Sequence, residues 1–134
     1  MAKKIFINLP VADLNKAMAF YTNIGFTNNP VFTDETAACM VLSDEIYAML
    51  LTHDKFSEFT NKMIIDAKTG IGVINSISVD SLDEVNTMAD AALKSGGTEP
   101  TPPKDYGFMQ QRSFHDLDGH HWEVLYMDMS KMPG

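Results

Sequence analysis

Two short stretches hold equivalent places in the two halves of this sequence, and they constrain the fold more than any other feature. Val11-Ala12-Asp13-Leu14 and Val79-Asp80-Ser81-Leu82 each carry an apolar, strand-like run into a helix cap. They start 68 residues apart in a chain of 134, half of which is 67. After Asp13, Leu14, Ala17, Met18, Tyr21 and Ile24 fall at helical spacing, and Gly25 follows as a stop. Ser81-Leu82-Asp83-Glu84 has the capping-box form, in which hydroxyl and carboxylate each satisfy an orphan backbone donor. Leu82, Val85, Ala89, Ala92 and Leu93 make the second apolar stripe, ended by Gly96-Gly97.

Strands fill the rest. Ile5 to Val11 leads into the first helix, and Phe26–Asn29, Ala37–Leu42 and Tyr47–Thr52 follow it, separated by the turn chemistry of Pro30, Asp34-Glu35 and Ser43-Asp44-Glu45. Gly72–Val79 leads into the second helix, followed by Thr98–Thr101, Phe108–Phe114 and His121–Tyr126, with Asp118-Gly119 as a hairpin signal. The order β-α-β-β-β thus occurs twice, the mark of an internal repeat. The expected fold class is α+β: one domain, 1–134, made of module one (4–53), a connecting segment (54–70) and module two (71–128). Phe56, Phe59 and Met63 give the connection a weak helical stripe, so it reads as a short helix or a covering loop. Each unit is expected to be a four-stranded sheet with a helix on one face only. Two such mixed sheets side by side would curve into an open half-barrel with a cleft, and a cleft is where a ligand binds.

Composition narrows the functions. Hydrophobic residues make up 45% and charged residues 21%, which is globular rather than disordered. Eighteen acids against ten bases give a net charge of −8, which repels phosphate backbones and argues against nucleic acid. No apolar run is long enough to span a membrane. Met1 to Ile5 reads as the start of the first strand rather than a signal peptide. Cys39 is the only cysteine, so no internal disulfide forms and a cytoplasmic setting is expected. Met18, Met40 and Met88 belong in the core, whereas Met49, Met109 and Met127, near strand ends, would suit a soft ligand lining.

Particular segments then resemble a known superfamily. Leu9 through Tyr21, followed by Gly25-Phe26, resembles the opening of vicinal-oxygen-chelate proteins, the group of glyoxalase I, bleomycin-resistance proteins and extradiol dioxygenases. Phe114 through Val124 resembles their terminal hairpin, with Leu117 where a proline is usual. Asp105 through Met109, with Arg112-Ser113-Phe114, is similar to a bacterial branch labelled predicted lactoylglutathione lyase. The resemblance implies a metal held by two side chains from each half. In this sequence those positions fall on Phe6, near Leu50, on Ile74 (or Asn75) and on Glu123. Three of the four are carbon, which cannot coordinate a divalent cation, so no metal cofactor is expected there. His121 and Glu123 share a strand face and could form half of a rebuilt site; His53, His115 and His120 are expected elsewhere, at strand ends or in the hairpin.

By the same resemblance, Phe6 and Asn8 face the cleft, with Ala48, Leu50 and Thr52, with Ile74, Ser76 and Ser78, and with His121, Glu123 and Leu125. The bowl would be apolar (Phe6, Leu50, Ile74) with a few polar groups (Asn8, Ser76, His121, Glu123). Glu123 is either a desolvated general base or a carboxylate hydrogen-bonded to Asn8 or His121, or wet. Arg112, the only arginine, is either an anion clamp in the cleft or a partner of Asp105, Asp116 or Asp118. Tyr106 and His53 would rim the cleft, and Trp122 would point to the helix layer. Three functions remain open: a metal-free binder of a small, cationic molecule; a lyase-like enzyme on a small carbonyl or thiol adduct with Glu123 as base; or a partner-binding module. The resemblance also implies a homodimer.

Overall fold

The computed structural model describes residues 3–132, and the chain divides into two compact units, Met1–Ala67 and Lys68–Gly134. The first unit holds β1 (Ile5–Val11), α1 (Leu14–Asn23), β2 (Thr27–Asn29), β3 (Ala37–Val41), β4 (Ile46–Thr52) and the short helix α2 (His53–Ser57). The second holds β5 (Ile74–Ser78), α3 (Leu82–Lys94), β6 (Lys104–Asp105), β7 (Met109–His115) and β8 (His121–Met127). Strand order is β1-β4-β3-β2 in one sheet and β5-β8-β7-β6 in the other. In both, the first strand pairs in parallel with the last and the other pairs are antiparallel. The duplication read from two βα junctions is therefore a duplication of the whole topology. Among the described residues no helix is long and apolar enough to cross a membrane.

The caps form as their residue types dictate. Asp13 Oδ1 accepts from the Lys16 backbone N–H at 3.0 Å, and Ser81 Oγ accepts from that of Glu84 at 3.2 Å. The Glu84 carboxylate reaches back one residue further than the usual box, to the Asp80 N–H at 2.9 Å. Gly25 and Gly96 take positive φ, 116° and 101°, just after the helices, as left-handed C-terminal stops.

Each helix covers one face of its own sheet. In the first unit Ala17, Phe20 and Tyr21 of α1 are buried, as is Ile24 at its C-cap, and Leu9, Val11, Ala38, Met40, Ala48 and Leu50 are buried on the strands. In the second, Val85, Met88, Ala89 and Ala92 of α3 are buried, with Ile77, Phe114, Trp122 and Val124 on the strands. Trp122 lies in the helix layer, 1% exposed and directly across from Phe114.

Two expectations need correcting. Thr98–Thr101 is not a strand: only Thr98 bridges to His115, and β6 is the two-residue segment Lys104–Asp105. Pro100, Pro102 and Pro103 supply no N–H, so a ladder cannot run through them. At the β7–β8 turn only Gly119 has positive φ, 92°. Asp118 keeps an ordinary backbone because Asp116 Oδ1 gathers the N–H groups of Asp118 and His120, each at 2.9 Å.

Candidate functional site

The ladders decide which side chains share a face. In β5, β7 and β8, Ile74 pairs with His121, Ser76 with Glu123, Ser113 with Glu123 and Gln111 with Leu125. Ile74, Ser76, Gln111, Ser113, His115, His121 and Glu123 thus stand on the sheet face away from α3.

Glu123 is half-buried at the centre of this group. Ser76 Oγ donates to its Oε1 at 3.0 Å, and Gln111 Nε2 donates to its Oε2 at 3.3 Å. Among the described residues no lysine or arginine pairs with it. Its partners are therefore Ser76 and Gln111, where the sequence suggested Asn8 or His121. Gln111 was not foreseen, although its odd number on β7 puts it on the face of Ser113 and Glu123. Ile74 stands two residues from Ser76, 51% exposed.

The equivalent face of the first unit carries Phe6, Asn8, Tyr47 and Met49. Phe6 is 51% exposed and stacks on Tyr47, centroids 4.5 Å apart. Asn8 is exposed and turns its amide N–H to the Phe6 carbonyl at 3.2 Å. Leu50 is not on this face. It pairs with Leu9 and Ala38, is 0% exposed, and belongs to the core under α1 along with Ala48. Asn8 pairs with Met49 as Ser76 pairs with Glu123, so Met49 is the counterpart of Glu123.

Arg112 also departs from expectation. It lies on the α3 side of β7, where Nε and Nη2 donate to Glu99 at 2.9 and 3.2 Å, and Nη1 donates to Asp90 at 2.8 Å and Asn86 at 3.1 Å. None of Asp105, Asp116 or Asp118 is among these partners. Its hydrogen bonds to Glu99, and then to Asp90, hold its proton more tightly than usual, against the opposing pull of burial. Arg112 is thus part of the strut that fixes α3 to β7 and lines a pocket of about 190 Å³ there with Leu82, Val85, Asn86 and Gln110. Arg112→Ala should cost about 1–2 kcal/mol of stability in chemical denaturation, moderated because Asp90 is 55% exposed. Arg112→Lys should recover only part, since an ammonium cannot reproduce the fork. Equal midpoints for Arg112→Ala and the parent would remove the strut. Tyr106 is 51% exposed beside β6, and His53 begins α2.

His115 stands opposite His121, its Nε2 3.0 Å from His121 Nδ1. Burial, then the neighbouring His121, pushes the His115 imidazole below its ordinary pKa, while Asp116 pulls the other way. The sequence had set His115 apart from His121.

Residues 3–43 match a family model described as "Bleomycin resistance protein-like N-terminal". A hypothetical protein from S. aureus shares 24% identity at a TM-score of 0.78, with 94% of each chain covered. A glyoxalase/bleomycin resistance protein/dioxygenase family enzyme from Burkholderia phytofirmans PsJN shares 16% identity at a TM-score of 0.76, covering 94% of this chain and 99% of the other. The fold is that of the vicinal-oxygen-chelate superfamily. A genomically encoded fosfomycin resistance protein from Listeria monocytogenes, 17% identical over 98% of both chains, superposes with a TM-score of 0.68. No curated protein matches the sequence significantly.

The positions to which the resemblance points can be placed within each unit. With the β4 position corrected, unit one offers the phenyl of Phe6 and the thioether of Met49, and unit two the alkyl of Ile74 and the carboxylate of Glu123. Of these four side chains only Glu123 is a hard oxygen donor.

Proposed function

We propose that this chain binds a small, positively charged organic molecule on the face of its second sheet away from α3, against Glu123, without the superfamily's metal. One observation carries the reading: Glu123 is a half-buried carboxylate held in place by two neutral donors, with no basic side chain of the described residues to balance it. Ser76 and Gln111 fix its oxygens yet leave its charge unmet, so a cation gains there. Exposed Ile74 supplies apolar surface beside it, the usual companion of a few placed polar groups in a ligand site. The charge of −8 brings cations to the surface.

Trp122 is buried under α3 and is a poor reporter for the opposite face, so calorimetry is the suitable readout. Titration of the full chain with a panel of cationic glycopeptide antibiotics and simple amines should yield at least one saturable heat. Glu123→Gln keeps the size and the hydrogen-bonding capacity of one oxygen, and should weaken that binding about tenfold, roughly 1.4 kcal/mol. A panel that gives no binding, or a Glu123→Gln variant that binds as well as the parent, rejects the reading. The same carboxylate is where a proton-abstracting base would stand. Turnover of the methylglyoxal–glutathione adduct above background, with or without nickel or zinc, and abolished in Glu123→Gln, would make the chain a lyase instead.

A further inference from the structure

We infer that Met109, Met127, Met129 and Met132 form a thioether site for a soft monovalent cation of the copper(I) and silver(I) class, at the end of β7 and β8 away from the Asp116 turn. The sequence marks Met109 and Met127 as a soft lining, and the fold adds the other two. Met109 and Met127 are paired directly across β7 and β8. They share the parity of Gln111 and Glu123, so both stand on the sheet face away from α3. The ladder runs one residue further: the Asp128 N–H donates to the Phe108 carbonyl at 2.6 Å, and the Asp128 backbone is extended, φ −105° and ψ 97°. Met129 therefore starts on the side of Met127. It opens a 3₁₀ turn, Met129–Lys131, closed by the Met132 N–H donating to the Met129 carbonyl at 3.3 Å. Three residues make one such turn, so Met132 comes into line with Met129.

The spacings suit one ion. Cβ atoms paired across two strands lie about 4.5–5.5 Å apart. Alternate residues of a strand are about 7 Å apart, and one 3₁₀ turn rises about 6 Å. A methionine side chain, unbranched and with three rotatable bonds, carries its sulfur across such gaps. The backbone beneath is fixed. The Tyr106 N–H donates to the Met109 carbonyl at 2.7 Å, and Asp128 Oδ1 accepts from the Ser130 N–H at 3.1 Å. Met127, Met129 and Met132 are 45%, 61% and 49% exposed, so an ion reaches them from solvent. Thioethers are soft donors that select copper(I) over hard cations, and the acidic chain favours any cation. Among the described residues no group of three histidine, cysteine or carboxylate side chains offers a competing site. The Cys39 thiol, a stronger soft donor, is buried, and that burial pushes its pKa up and keeps it protonated. Glu123 lies four residues from Met127 along β8, about 13 Å, so the site is separate from the one proposed above and does not depend on it.

The test adds silver(I), which has no redox chemistry here, to the full chain and follows the methionine methyl resonances by NMR. Those of Met109, Met127, Met129 and Met132 should move together and stop at one equivalent. Those of Met18, Met40 and Met88 should stay in place, and so should that of Met63, which is 89% exposed but lies outside the group. Leucine keeps the volume of methionine and removes the sulfur. A chain carrying Met127→Leu, Met129→Leu and Met132→Leu should therefore bind silver(I) at least about tenfold more weakly in calorimetry, and Met63→Leu should bind it like the parent. No movement of the four resonances in excess silver(I), movement of Met63 with them and without an end point, or an unchanged affinity in the triple variant overturns the inference. If the triple variant does not fold, the resonances of the parent and of Met63→Leu decide.

Discussion

Leu50→Glu should abolish the folded state, whereas Met49→Glu, one residue away, should leave it standing. Leu50 is 0% exposed between Leu9 and Ala38 in the layer under α1. A carboxylate there would lose its water and meet no donor, at a cost of about 5 kcal/mol once lost packing is included. Domains of this size have about 5–15 kcal/mol to lose, so the variant should be largely unfolded in circular dichroism or aggregate on expression. Met49 is only half-buried and lies on the face away from α1, where a glutamate can reach water, so its denaturation midpoint should stay near the parent's. The pair of variants decides which β4 residue is the counterpart of Glu123. A folded Leu50→Glu with an unfolded Met49→Glu would reverse the assignment, and the corrected metal-site comparison with it.

That one-residue slip shows where the sequence stops being informative. β1 and β8 could be read because polar and apolar residues alternate enough to set a face: Asn8 between Ile7 and Leu9, Glu123 between Trp122 and Val124. β4 reads Ile46-Tyr47-Ala48-Met49-Leu50-Leu51-Thr52 and is apolar on both parities, so its period carries no face. The register comes instead from hydrogen bonds, such as Ile5 N–H to Glu45 O at 2.9 Å, that no periodicity reports. The helices were legible because their signals are local: one cap residue, one stripe, one glycine. Glu123 was legible for its place in a motif, but its partners were not, because Ser76 and Gln111 meet it only through strand pairing. Arg112 illustrates the same limit. The acids nearest in sequence were the natural guess, yet Asp90, 22 residues away along the chain, lies on the helix that packs over β7. His115 and His121 sit six residues apart around a tight turn, so their meeting follows from the turn geometry once the pairing of the two strands is known.

Trp122→Ala should be the most damaging truncation in the second unit, lowering stability by about 3–5 kcal/mol in chemical denaturation. The indole is 1% exposed, and α3 packs over β7 and β8, where Trp122 and Phe114 stand side by side. Removing it leaves a hole between a helix and a sheet that the Arg112 strut ties together along the side, through Asp90 and Asn86, so the gap cannot close by a simple shift. The consequence reaches the candidate site. β8 carries Trp122 toward α3 and Glu123 the opposite way, so the packing of one side chain sets the position of the next. Trp122→Phe keeps most of the volume and should lose less stability while still holding Glu123 against Ser76 and Gln111. If Trp122→Ala melted like the parent, the indole would not be holding α3 to its sheet, and the rigidity attributed to Glu123 would need another source.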